Sequence, residues 1–187
     1  MGSSDTELVR RCLQGDNTGF DELVKNCQRQ VYCFCYRMLG SAEESADAAQ
    51  ESFVNAYYAL ASFRQGAAFL PWILKIASNA CIDRFRKRAR QRSVALEELA
   101  DERHIVPSGD PSPEDLVLKS ESDQAIREAV LRLPDKNRVA LVMFYFNSLS
   151  VKEISAALGR PENTVKSDLR IAREMLRRKL EGSVVST

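Results

Sequence analysis

No stretch of this 187-residue chain approaches the roughly 20 consecutive apolar residues that a helix needs to cross a bilayer. Alternating apolar and polar runs of strand type are missing, and so are internal repeats and low-complexity tracts. The single histidine, His104, stands apart from the cysteines, so no four-ligand zinc set converges. No glycine-rich phosphate loop and no nucleophile with a base can be found. The sequence therefore predicts no enzyme, no metal and no cofactor. Its start, Met1-Gly-Ser-Ser-Asp-Thr-Glu7, is polar and acidic, unlike a secretory leader, and reads as a frayed tail. Five cysteines (Cys12, Cys27, Cys33, Cys35 and Cys81) are an odd number without an export signal, which argues for reduced thiols in a cytoplasm. Cys33 and Cys35 leave a helix on different sides. Burial as small hydrophobes is favoured for them over redox sensing, which stays open.

The net charge of +1 is small, but it is unevenly spread. Residues 1–95 hold 13 Lys/Arg against 10 Asp/Glu, residues 96–123 hold 2 against 9, and residues 124–187 hold 12 against 7. Two mildly basic units flank an acidic strap, and basic surfaces suggest a polyanion partner. The strap, 93–118, carries Pro107, Gly109, Pro111 and Pro113 and reads as a flexible linker.

Elsewhere the apolar period is close to 3.6, which predicts helices. They are expected over Phe20–Leu39, over Ala42–Ala61 with Ala49, Phe53, Ala56, Tyr57 and Leu60 inward, and from Ala68 or Pro71 to Arg92. Further helices are expected over 119–132 and Pro134–Phe146. The last element is the most telling. Ser150 with Glu153 makes a capping box, Gly159 stops a short helix, and Pro161 starts the next. Val165, Leu169, Leu176 and Leu180 line one side of that second helix. Asn163, Lys166, Ser167 and Arg170 fall on the other, with Arg173 and Arg177 flanking. Donors and cations on the early turns of such a helix suit major-groove reading; a solvated basic face is the plainer alternative.

Two more surfaces carry chemistry. Asp47, Gln50 and Glu51 share one helix face, with Val54 and Asn55 at its edge, and can dock on a basic helix pair. Phe63, Arg64, Phe69 and Trp72 mix aromatics with cations near Lys75, Asn79, Arg84 and Arg86. Such mixtures suit single-stranded DNA, although Trp72 is favoured as core. The run Arg84-Phe-Arg-Lys-Arg-Ala-Arg-Gln-Arg92 suits phosphate.

In order, the segments Tyr36-Arg-Met-Leu-Gly40, Ala46-Asp-Ala-Ala-Gln-Glu-Ser-Phe-Val-Asn-Ala-Tyr57, Phe69-Leu-Pro-Trp through Ile82-Asp-Arg84, Leu133-Pro-Asp-Lys-Asn-Arg138 and Leu149-Ser-Val-Lys-Glu-Ile154 through Thr164-Val-Lys-Ser167 resemble a bacterial sigma factor of the extracytoplasmic-function group of the sigma-70 family. The resemblance covers about residues 5–181. It implies an all-α chain of two small domains, 1–92 and 119–187, joined by the acidic linker 93–118, the second domain containing the helix-turn-helix. It implies that Asp47, Gln50, Glu51, Val54 and Asn55 grip core RNA polymerase. Phe63, Arg64, Lys75, Asn79, Arg84 and Arg86 would meet the single-stranded −10 promoter element, with the Ser62–Ala68 loop setting base preference. Asn163, Thr164, Lys166, Ser167, Arg170, Arg173 and Arg177 would meet the double-stranded −35 element. The linker acids Glu97, Glu98, Asp101, Glu102, Asp110, Glu114 and Asp115 would imitate a polyanion inside the polymerase. An anti-sigma factor is implied by family habit, and no membrane insertion is. The chain departs from many relatives at Arg160, Asn163, Asp168 and Ile171; Asp168 could repel DNA, pair near Arg170, or shift base preference. A helix-turn-helix regulator that never enters polymerase is the rival reading, but it leaves the acidic stripe and the aromatic loop unexplained.

Overall fold

The computed structural model describes residues 2–64, 66–96 and 121–184. His104 and the seven linker acids, Glu97 to Asp115, lie outside them. Eight α-helices and no strand occur among the described residues: α1 (Gly2–Leu13), α2 (Thr18–Leu39), α3 (Ala42–Ala59), α4 (Phe69–Leu96), α5 (Glu121–Leu131), α6 (Asp135–Tyr145), α7 (Val151–Leu158) and α8 (Glu162–Val184). A 3₁₀ turn, Leu60–Ser62, follows α3.

The first unit is built on α2, α3 and α4. Along α2, Leu23, Cys27, Val31, Phe34, Cys35 and Met38 recur at three- and four-residue steps, and all are buried. Gly40 ends α2 in the left-handed region at φ 77°, and Ser41 then caps α3 by accepting the Glu44 N–H. The buried side of α3 is made of small residues, Ser45, Ala48, Ala49, Ser52 and Ala56, so its backbone can come close to its neighbours. The two buried serines donate to the carbonyls one turn back, Ser41 O and Ala48 O, which leaves no orphan hydroxyl. From α4 come Phe69, Ile73, Leu74, Ala77 and Cys81. The Cys81 thiol lies in hydrogen-bond contact with Cys35 of α2, and that contact together with burial pushes it far above the ordinary range. Burial likewise pushes Cys27 up to about 12. All five cysteines are free thiols; Cys35 is buried as expected of a small hydrophobe, with Cys12, Cys27 and Cys81, whereas Cys33 is only half-buried.

Three expectations need correction. The N-terminal tail is a helix: Leu8, Val9 and Cys12 of α1 are buried in the core, three apolar residues too few to register as a period. A Cβ at Gly19 would stand 2.7 Å from Leu8 O, so glycine there permits the close α1–α2 crossing. Tyr57 does not point inward; it is 42% exposed, stacks edge-on over Phe20 at 5.2 Å and donates its hydroxyl to Asn17 Oδ1 at 3.0 Å. Its phenol needs a polar partner that the alanine-lined core cannot offer. Finally, α4 runs to Leu96 and not to Arg92; no glycine or proline interrupts the chain between Pro71 and Leu96.

The second unit packs α5, α6 and α7 against α8, and Val139, Ala140, Leu141, Val142 and Met143 of α6 are all buried. Ser150 and Glu153 form the complete capping box on α7, and Gly159 ends α7 at φ 64°. The two bonds from Ser150 hold the Glu153 carboxyl below its usual range. Ser150→Ala should lower stability by about 1 kcal/mol, read as a thermal melt at neutral pH. A lowered carboxylate pKa contributes stability above the unfolded value and loses it as pH falls. The gap between parent and variant should therefore shrink below the ordinary glutamate range.

The two units lie against each other, α2 touching α5 and α6 while α4 touches α6 and α7.

Candidate polymerase and promoter surfaces

The first surface is the outer side of α3. Asp47, Gln50, Glu51, Val54 and Asn55 are all exposed, as their spacing predicts. The acidic stripe is not wholly free, however. Arg84 of α4 donates to Glu51 at 2.7 Å, and Arg88 pairs with Glu44. Two ion pairs thus join α3 to α4, and Arg84 is turned toward α3 rather than toward open solvent. Sequence reasoning missed the apolar continuation of this surface. Val54 and Tyr58, one turn apart, are 49% and 80% exposed, and with Tyr57, Phe53, Phe20 and Val24 they line a shallow apolar groove beside Gln50. The signal was present, since 47, 50, 54 and 58 form a single helical row.

The second surface is the loop before α4 and the outer face of that helix. Arg64 and Asn79 are exposed. Arg86 is exposed and pairs with Asp83 at 3.3 Å. Phe63 does not stand out as a stacking platform: it is 6% exposed, with Trp72 edge-on at 5.3 Å and Phe69 at 6.0 Å. Three large rings bury more apolar area together than any of them would by facing water, so this cluster is core. Trp72 packs against that core, as expected. Lys75 is half-buried and donates to Leu158 O at 3.2 Å. The loop is fastened through its backbone: the Phe69 N–H donates to Asp5 Oδ2 at 3.0 Å, and the Gly66 N–H to Thr6 Oγ1 at 3.2 Å.

The third surface is α8. Val165, Leu169 and Ala172 are buried on one side. Asn163, Thr164, Lys166, Ser167, Arg170, Arg173 and Arg177 are exposed on the rest. Lys166, Arg170 and Arg177 reach carboxylates one turn away, Glu162 at 3.9 Å, Glu174 at 3.9 Å and Glu181 at 3.7 Å. Exposed pairs of this length hold a side chain weakly, so phosphate or a base edge can replace the partner. Asp168 does not face outward beside Arg170. It is 4% exposed on the inner side of α8 and pairs with Arg160 of the turn, Nη1 to Oδ2 at 3.3 Å. Two residues that look like separate departures are therefore one contact that ties the turn to α8.

An acidic–apolar face, an amide- and cation-bearing loop helix and a basic recognition helix sit on a frame with no metal-ligand cluster among its described residues. Residues 23–91 match the family model for Sigma-70 region 2, and residues 123–176 that for Sigma-70, region 4. Fold and surfaces together define a transcription initiation factor of the sigma-70 class. The ECF RNA polymerase sigma factor SigW of Bacillus subtilis is 36% identical over 177 residues, 92% of this chain and 94% of that protein. RNA polymerase sigma-H factor of Pseudomonas aeruginosa is 32% identical over 182 residues, 95% and 94% of the two chains. The chain belongs to the extracytoplasmic-function group of sigma factors. It is accordingly not an enzyme, but a factor that binds core RNA polymerase and directs initiation at specific promoters. In fold it is similar to the sigma factor RpoE solved with the anti-sigma factor NepR from Bartonella quintana, at TM-score 0.67 and 22% identity over 87% of this chain and 96% of that one. It is equally similar to CnrH solved with the cytosolic domain of CnrY, at TM-score 0.67 and 21% identity over 96% and 98%.

Proposed function

We propose that the three surfaces divide the work of initiation between the two units. The row Asp47, Gln50, Glu51, Val54 and Asn55, extended by Tyr58, grips the polymerase. Arg64, Lys75, Asn79 and Arg86 on the first unit meet the separated strand of the −10 element. Phe63 supports that surface from beneath, and Arg84 acts through its pair with Glu51. The exposed residues Asn163, Thr164, Lys166, Ser167, Arg170, Arg173 and Arg177 of α8 meet the −35 duplex. The working units are then 1–96 and 119–187, with the acidic segment between them as linker. The observation that carries the reading is the two-sidedness of α8: a buried apolar row of Val165, Leu169 and Ala172, and opposite it an amide, hydroxyl and cation row that begins in the first turn after a tight bend. The factor works in the cytoplasm, where polymerase is. An anti-sigma factor masks it; the complexes solved for RpoE and CnrH support this partner.

Run-off transcription with core polymerase on a library of genomic promoter fragments tests the whole assignment. Discrete, factor-dependent start sites are expected. Promoter-independent DNA binding without such transcripts would replace it with a regulator acting outside polymerase.

Within α8, Arg170 and Arg177 should differ in kind. Arg170, two turns into the helix, is long enough for a bidentate contact to guanine, so Arg170→Ala should relax one −35 position by roughly 1–3 kcal/mol. Arg177, two turns further along, should touch only phosphate, so Arg177→Ala should weaken all promoters alike and reduce the salt dependence. A panel of single-base promoter variants at two salt concentrations separates the two. A uniform loss for Arg170→Ala would leave it only a phosphate contact.

A further inference from the structure

The motif Leu133-Pro-Asp-Lys-Asn-Arg138 carries no part of the three surfaces. Its last residue is turned to the first unit, Arg138 donating to Met38 O at 2.6 Å. The residue before it is turned into the second unit. Asn137 of α6 is 1% exposed and donates through Nδ2 to Asp168 O at 3.0 Å. A helix carbonyl keeps a second lone pair after its own intrahelical bond, and Asn137 takes it. The Asp168 side chain is held from another direction, by Arg160 Nη1 at 3.3 Å. Arg160 is itself fixed by α7: its N–H donates to Ser155 O at 3.1 Å, and its carbonyl accepts from the Ser155 hydroxyl at 2.5 Å. Two directional contacts from outside α8 therefore end on one residue. Asp168 is fastened by its main chain to α6 and by its side chain, through Arg160, to α7.

The place of that residue matters. Asp168 lies on the inner side of the same turns whose outer side carries Thr164, Ser167 and Arg170. The apolar row Val165, Leu169 and Ala172 holds α8 down, but apolar contact is non-directional and tolerates a small rotation. Hydrogen bonds do not, since they weaken steeply as the donor angle falls toward about 120°. A turn of α8 by about 20° about its axis would carry a side-chain tip ~6 Å from that axis through about 2 Å. Such a shift breaks a two-point contact to a base edge, yet leaves phosphate within reach of a flexible cation. The pair is also a poor device for stability alone. The Asp168 side chain is 6% exposed, and a buried ion pair is often matched or bettered in stability by an apolar pair of similar volume. What a charge pair adds is direction.

We propose that Arg160 and Asp168, backed by Asn137, are positioning residues for −35 recognition: they set the rotation of α8 so that its outward side chains meet base edges squarely. They act through the reading residues and need not touch a base themselves. The inference rests on the reading of α8 as the −35 surface.

The test uses the full chain assembled with core polymerase, on a panel of promoters that differ by single bases in the −35 element. Arg160→Leu with Asp168→Leu replaces the ion pair by an apolar one, so this variant should melt at or above the temperature of the parent. Its discrimination between the best promoter and the single-base variants should nonetheless fall roughly tenfold, within the range of one bidentate base contact. Arg160→Lys keeps the charge pair and should discriminate as the parent does. The ratio is the decisive readout: partial unfolding lowers the affinity for every promoter by the same factor and leaves the ratio where it was. A folded leucine pair with the discrimination of the parent, or Arg160→Lys as blunted as the leucine pair, overturns the proposal. If the leucine pair did not fold, Asp168→Asn would decide, because it keeps the shape of the side chain and the bond from Asn137 but loses the charge. A drop of about threefold is then expected, since charge-assisted bonds are about twice as strong as neutral ones; an unchanged ratio again overturns the proposal. A parent that failed to distinguish the panel at all would instead remove the −35 reading of α8, and this inference with it.

Discussion

Asp47→Lys with Glu51→Lys is expected to abolish co-elution with core polymerase while the chain stays folded. Asp47 and Glu51 are exposed on α3, so reversal costs the fold little beyond the Arg84 contact. Against a basic partner the same reversal turns two attractions into two repulsions, worth several kcal/mol in a docked interface. Glu51 has a second role as the acceptor of Arg84, so the double variant also frees a cation on α4. A control separates the effects. Arg84→Gln removes the internal pair and leaves the acidic face intact, and it should retain polymerase on size exclusion. If the folded double lysine variant co-eluted as the parent does, docking would have to lie elsewhere, with the Val54–Tyr58 groove as the next candidate.

Phe63→Ala is expected to cost the first unit about 3–5 kcal/mol, as removal of a buried phenylalanine usually does. Phe63 is 6% exposed inside the ring cluster with Phe69 and Trp72, so the loss is one of packing, not of a base contact. Asn79→Ala is the contrasting case. Asn79 is exposed, so its loss should leave the melting temperature alone and impair opening of the −10 region, seen by permanganate footprinting. Equal melting temperatures for Phe63→Ala and the parent would return Phe63 to the DNA surface.

Much of this was legible in the chain. The 3.6-residue period, the Gly40–Ser41 stop and cap, and the capping box at Ser150 placed helices α2, α3, α6, α7 and α8 closely, because each rests on interactions local in sequence. Exposure of the α3 and α8 rows followed from the same periodicity. What could not be read were facts of three-dimensional neighbourhood. Phe63 looks like a loop aromatic until Phe69 and Trp72 close over it. Asp168 looks like a repulsive charge on a recognition helix until Arg160, eight residues earlier, is seen to meet it. Arg138 reads as one more cation in a basic unit, since nothing in sequence joins it to Met38, a hundred residues away. Three buried apolar residues in α1 are too few to betray a helix whose stability comes from packing on α2.

The loop ahead of α4 is held by two main-chain amides, those of Gly66 and Phe69, each donating to a side chain of α1. A main-chain donor is the same whichever residue other than proline carries it. Substitutions at the exposed Arg64 therefore need not loosen these moorings, whereas Phe63, buried in the ring cluster, and Gly66, at φ 80°, are tied to the fold itself. On the proposed reading of this loop as a base-reading segment, its exposed positions can change without rebuilding the scaffold. The opposite holds for Asp5 and Thr6: a change at either would shift the whole loop at once, far in sequence from the residues whose behaviour it altered.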